Sequence, residues 1–183
     1  MSRRLAQGID PGAHRARRGD SEAVVALGAN LGDRADTLRA ALAALGQLPL
    51  TAVTVAAEPI ETVALTPEGR DADAPAYLNT IALLSTRLAP TVLLRHLHAI
   101  EERHGRAPRV PGGPRWQDRT LDLDLIAYGD VRVRSASLTV PHPRAAERDF
   151  VLEPWLSIAP DAVLPGRGRV ADLLRELTEG GGA

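Results

Sequence analysis

An α+β fold is predicted for this 183-residue chain, and three observations predict it. Short apolar or β-branched runs alternate with two stretches of helical periodicity. Their order is strand, helix, two strands, helix, strand. Behind the last strand lies a C-terminal extension of about 50 residues, and at this length a single domain is expected.

Each element has its own signal. Val24–Leu27 is a short apolar run stopped by Gly28 and reads as a buried strand. Asp33 suits a helix N-cap, with Asp36 three residues later, and Leu38, Ala41, Leu42 and Leu45 form one helical stripe. Thr51–Ala57, rich in β-branched residues, is a second strand. Residues 58–75 hold Pro59, Pro67, Gly69 and Pro75, so a long connection is expected there, and long connections often carry function. Tyr77–Thr86 is a third strand. Pro90 fits the first turn of a helix whose Leu93, Leu97 and Ile100 face the core. Gly105–Arg119, with three Pro and three Gly, is irregular, and Thr120–Tyr128 is a fourth strand. Val170, Leu173, Leu174 and Leu177 form a final short helix. The β-α-β-β-α-β order is that of ferredoxin-like sheets, with the helices on one face.

Residues 1–21 are expected to be a disordered Arg-rich tail, 22–178 the single domain, and 179–183 a second tail. The first twenty residues carry five Arg against two Asp, which leaves the remainder of the chain about −4 and argues against a general nucleic-acid binder. All 22 basic residues are Arg. Without Lys there is no Walker A loop, Schiff base or Lys-dependent acylation. Without Cys there is no disulfide, thiol nucleophile or thiolate metal site, so a metal would sit on oxygen or imidazole. Missing Cys, no apolar run near the roughly 18 residues of a membrane span, and no apolar segment in residues 1–20 lead us to expect a cytoplasmic protein.

The strongest chemical signal is the run Thr120–Leu125, TLDLDL. On a strand, Leu121, Leu123 and Leu125 face the core while Asp122 and Asp124 share the other face, roughly 7 Å apart. Asp is depleted in strands, and a hard divalent cation such as Mg²⁺ would relieve the repulsion of two like charges. A solvent-facing strand with two acidic residues reads the same way in isolation. Context favours the metal: Arg103, Arg106, Arg109, Arg115 and Arg119 fall within seventeen residues upstream. Carboxylates holding metal, metal bridging phosphate oxygens and bidentate guanidinium forks together suit a polyphosphate. His142 stands between Pro141 and Pro143, which restrict its backbone. His96 and His98 lie two apart on a helix and do not face each other. Glu101 borders the apolar stripe of its helix, placed either to meet a ligand or to cap that face. The chain has no HExxH, GxSxG or GxGxxG. A nucleic-acid-binding module using the Arg loop, or a D-x-D nucleotidyl- or glycosyltransferase, are the alternatives.

Six co-linear segments resemble the 6-hydroxymethyl-7,8-dihydropterin pyrophosphokinase family of folate biosynthesis. They are VALGANLGDR at 25–34, YLNT at 77–80, EERHGR at 101–106, RTLDLDL at 119–125, TVPHPR at 139–144 and RDFVLEP at 148–154, and the likeness runs over roughly 23–165. The resemblance implies transfer of the β,γ-pyrophosphate of ATP to the pterin's hydroxymethyl oxygen, with release of AMP, on a ferredoxin-like sheet with two Mg²⁺ ions. It implies Asp122 and Asp124 as metal ligands and Arg106 and Arg119 as phosphate-contacting or loop-closing residues, with Arg109 or Arg115 as a further loop arginine at the phosphates. Glu101, Arg109, Arg119, Thr139, His142 and Arg148 fall at ATP positions. Thr62, Tyr77, Asn79, Trp116 and Phe150 fall at pterin positions, the heterocycle stacked between Tyr77 and Phe150 and read by Asn79. That leaves Tyr128 and Trp155 as core. The chain departs from the family at Ile60, at Val63–Leu65 and in Trp116-Gln117-Asp118-Arg119. Expected partners are ATP and the reduced hydroxymethylpterin, with no nucleic acid or membrane, and the chain is expected to be a monomer.

Overall fold

The computed structural model describes residues 19–66, 69–71, 75–105 and 120–180. The elements, in order, are β1 (Ser21–Ala29), α1 (Arg34–Gly46), β2 (Thr51–Ala56), β3 (Ile60–Thr62), β4 (Ala64–Thr66), β5 (Gly69–Asp71), β6 (Tyr77–Thr86) and α2 (Pro90–Arg103). Then follow β7 (Asp122–Tyr128), β8 (Val133–Arg134), β9 (Thr139–Val140), a 3₁₀ turn at Ala145–Glu147, α3 (Asp149–Ile158), β10 (Val163–Leu164), β11 (Gly168–Arg169) and α4 (Val170–Gly180). β1 begins just before the expected domain boundary at residue 22, and α4 runs just past the one at 178.

The main sheet is antiparallel with strand order β2-β6-β1-β7, and β3 continues along β6 where β2 stops. Ile60–Thr62 pair with Tyr77–Asn79, backbone that would otherwise lack partners at that edge. The connection at 58–75 is thus not structureless, since it carries β3 and the β4–β5 pair.

Helices α1 and α2 cover one face. Asp33 caps α1 as expected, its Oδ1 accepting the Asp36 N–H at 2.9 Å. Leu38, Ala41, Leu45, Leu93, Leu97 and Ile100 pack there against Ala23, Val25, Leu27, Leu84, Leu123 and Leu125. The two helices between the strands thus share one face as expected, and the C-terminal extension supplies the other cover. Its α3 and α4 cover the opposite face, where Val151, Leu152, Trp155 and Val170 pack on Val24, Ile81, Leu83 and Ile126. A strand buried on both sides must be apolar at successive positions, which is why Val24–Leu27 shows no alternation. Helix α3 escapes a sequence reading because it is short and holds Pro154 in its interior, where proline disfavours helix. Tyr128 and Trp155 are buried core residues as expected, and the Tyr128 hydroxyl donates to the Leu88 carbonyl at 2.6 Å. Among the described residues no helix is long and apolar enough to cross a membrane.

Candidate active site

The sheet face beneath α3 changes character toward one end. Register places Asn79, Gly28 and Asp122 side by side across β6, β1 and β7, and the next row holds Ile81, Ala26 and Asp124. Ile81 is fully buried in the α3–α4 core, while Asp122 and Asp124 are only partly covered. The apolar face therefore ends where the carboxylates begin. Leu121, Leu123 and Leu125 are buried toward α1 and α2, so the alternation expected of this strand is present.

Gly28 forms the floor of that row. A Cβ built there would stand 2.8 Å from Asn79 Oδ1 and 3.8 Å from Tyr77 Cδ1, so the missing side chain is the space these two occupy. Gly28 does not stop β1, which runs on to Ala29, and the physical reason is close approach rather than a turn. The Asn79 carboxamide is held from its other end: Nδ2 donates to Thr62 Oγ1 at 2.7 Å. Thr62, Tyr77 and Asn79 thus meet at one sheet end, with Thr62 directly opposite Tyr77.

Asp124 gathers the other side. Its Oδ2 accepts from Arg148 Nη1 at 2.9 Å and lies 3.8 Å from His142 Nε2. Arg148 also spans toward α3, its guanidinium carbon 5.6 Å from the centroid of the Phe150 ring, within cation–π range. His142 is fixed by backbone: its N–H donates to the Ile126 carbonyl at 2.8 Å, and its Nδ1 accepts the Arg144 N–H at 3.2 Å. Burial pushes the imidazole below its ordinary pKa, Asp124 and Asp122 pull it up, and Arg148 and Arg144 push it down. The ring is therefore held toward its neutral form, and acceptance at Nδ1 leaves the proton on Nε2, facing Asp124.

Glu101 is buried behind the carboxylate strand. Its side chain is 1% exposed, and Oε1 accepts the Leu123 N–H at 2.8 Å. Because β7 is an edge strand, this bond satisfies an N–H that the sheet leaves open, between the two Asp residues. Thr139 lies half-buried on β9, opposite Arg134, three residues before His142. Arg106, Arg109, Trp116 and Arg119 lie outside the described residues.

The carboxylate pair fits a hard cation. Among the described residues no three His, Cys, Asp or Glu are arranged to hold a metal ion, and Asp122 and Asp124 are the carboxylates that would hold one. Mg²⁺ is commonly bound in this way, through one or two carboxylates with substrate phosphates completing its shell.

The model of the family 7,8-dihydro-6-hydroxymethylpterin-pyrophosphokinase (HPPK) matches residues 24–160. The chain belongs to this family. Pyrophosphokinases named for 2-amino-4-hydroxy-6-hydroxymethyldihydropteridine are similar to it across most of both chains. The one from Haemophilus influenzae is 36% identical over 157 residues, covering 86% of this chain and 93% of its own length. The one from Pseudomonas aeruginosa is 39% identical over 150 residues, covering 82% and 88%. A crystal structure of Plasmodium falciparum HPPK-DHPS with pteroate is similar in fold, with a TM-score of 0.63 over 96% of this chain. At 12% identity that likeness bears on the fold alone, and this chain spans 44% of the longer one. The HPPK match encloses every described site residue, from Gly28 to Phe150. Gly28 is the one that residue-by-residue reading missed. Its signal was a glycine inside an apolar strand, which marks close backbone approach as well as a strand end.

Proposed function

We propose that this chain transfers the β,γ-pyrophosphate of ATP to the hydroxymethyl oxygen of 6-hydroxymethyl-7,8-dihydropterin, releasing AMP, in folate biosynthesis. The observation that carries the reading is the Asn79–Gly28–Asp122 row: a carboxamide suited to a heterocycle edge stands two strand spacings, about 10 Å, from a carboxylate pair. The hydroxymethyl oxygen attacks the β-phosphorus, the bond from that phosphorus to the α-phosphate oxygen breaks, AMP leaves with the bridging oxygen, and the hydroxyl proton is released to solvent. No covalent enzyme intermediate is needed, and catalysis is positioning and charge neutralisation.

Asn79, oriented by Thr62, reads the polar edge of the pterin, and Tyr77 and Phe150 supply the stacking faces, with Trp116 assigned to the same pocket by the family resemblance alone. Asp122 and Asp124 hold Mg²⁺, two ions in this reading. When bound, the metal neutralises phosphate charge and makes the hydroxymethyl oxygen a better nucleophile. Arg148 fixes the Asp124 carboxylate, and Arg148, His142 and Thr139 line the nucleotide side. By the family resemblance alone, Arg106 and Arg119, with Arg109 or Arg115, are assigned to the phosphates, Arg106 and Arg119 as catalytic residues. Glu101 acts on the nucleotide side by holding β7 at Leu123. We read the strand order as ferredoxin-like and the chain as a cytoplasmic monomer without nucleic-acid or membrane partners. The test is incubation with ATP, Mg²⁺ and the reduced hydroxymethylpterin. AMP should form only when the pterin is present, whereas ADP, free pyrophosphate or no pterin-dependent turnover would overturn the reading.

A further inference from the structure

Arg34 opens α1 directly after the Asp33 cap, and its guanidinium reaches back to the end of the sheet. Nη1 donates to the Ala76 carbonyl at 2.6 Å, and Nη2 donates to Glu61 Oε2 at 2.9 Å. These acceptors immediately precede Tyr77 and Thr62, which face each other in the β3–β6 register. β3 pairs with β6 from Ile60 to Thr62, and the fork joins the two strands at the end where that pairing stops. Thr62 in turn receives the Asn79 Nδ2 donor at 2.7 Å.

We propose that Arg34 is a positioning residue for the pterin, acting through Thr62, Tyr77 and Asn79. The inference rests on reading those three as the pterin wall. One planar guanidinium bridges a carboxylate on β3 and a carbonyl at the start of β6, and so sets the spacing of the two strands. The two bonds are unequal. The Glu61 ion pair is exposed, at 31% for Arg34 and 61% for Glu61, and contributes little. The Ala76 bond is partly buried and joins a charged donor to a backbone acceptor, which makes it the stronger anchor. Lys, a single point charge, cannot reproduce the fork.

The test is calorimetric titration with 6-hydroxymethyl-7,8-dihydropterin in the presence of Mg²⁺ and a non-hydrolysable ATP analogue, together with steady-state kinetics. Arg34→Ala should weaken pterin binding about tenfold, the size expected for one charge-assisted bond. Its kcat at saturating pterin should stay within about twofold and its affinity for the ATP analogue should not change, as for lost positioning rather than lost chemistry. Glu61→Ala, which removes only the exposed pair, should cost less than about fivefold, and Arg34→Lys should fall between wild type and Arg34→Ala. Wild-type pterin affinity in Arg34→Ala would overturn the proposal, as would equal losses for pterin and nucleotide. If Arg34→Ala does not fold, wild-type pterin affinity in Arg34→Lys overturns it. Asn79→Ala is the control. Unchanged pterin affinity there removes the pocket reading itself, whereas a weakened Asn79→Ala beside an unaffected Arg34→Ala removes only the role of Arg34.

Discussion

Replacing Gly28 by Ala should separate stability from function. Glycine inside a strand costs roughly 0.5–1 kcal/mol relative to Ala, so the substitution starts with a gain of that size. The new Cβ lies 2.8 Å from Asn79 Oδ1, closer than two such atoms can approach. The obstacle is the end of a side chain and not backbone, so Asn79 turns aside and its 2.7 Å bond to Thr62 breaks. A neutral hydrogen bond of this kind contributes roughly 0.5–1.5 kcal/mol net, which offsets the backbone gain. Urea denaturation should therefore find Gly28→Ala within about 1 kcal/mol of wild type. The pterin feels the change differently. A misdirected carboxamide leaves a buried ring edge unmatched, at a cost of about 2 kcal/mol or roughly thirtyfold in Kd. Titration with the dihydropterin beside the ATP analogue measures that loss. Wild-type pterin affinity would refute the idea that Gly28 makes room for Asn79. A stability loss of several kcal/mol would show instead that the contact is rigid packing.

Asp122→Ala and Asp124→Ala should each abolish pterin-dependent AMP formation with the circular dichroism spectrum retained, and chelation of Mg²⁺ should do the same reversibly; full activity in either variant would remove the metal assignment. Glu101→Ala should destabilise the protein by about 3 kcal/mol, because it strands the buried Leu123 N–H and leaves a void, while Glu101→Gln keeps an acceptor and should cost under about 1 kcal/mol. Equal urea midpoints for Glu101→Ala and wild type would contradict this role. Arg148→Met keeps a side chain of similar length beside Phe150 but removes the 2.9 Å bond to Asp124, and kcat/KM should fall about tenfold or more without loss of fold. An unchanged kcat/KM would mean that Asp124 needs no such anchor.

The parts legible in the sequence were those governed by local rules. The period-2 pattern of TLDLDL put both carboxylates on one face, the Asp33 cap and the Leu38–Leu45 stripe marked α1, and Pro90 began α2. The order of the four long strands with α1 and α2 followed from the same patterns, and six motif segments pointed to the family. What stayed hidden depends on neighbours distant in the chain. The continuous run at Val24–Leu27 signalled a buried strand but not that α3 and α4 supply the second cover. Glu101 read equally as ligand contact or cap, and only the edge position of β7 makes it the acceptor for Leu123. Gly28 looked like a strand end because nothing local shows that Asn79, fifty-one residues later, needs its space. Sequence by itself determined which residues carry charge, rings and amides, and on which side of each strand they stand, because backbone geometry alone sets those periods. Tertiary structure decided which of them meet, because cross-strand register and the packing of α3 follow from the burial of the whole chain.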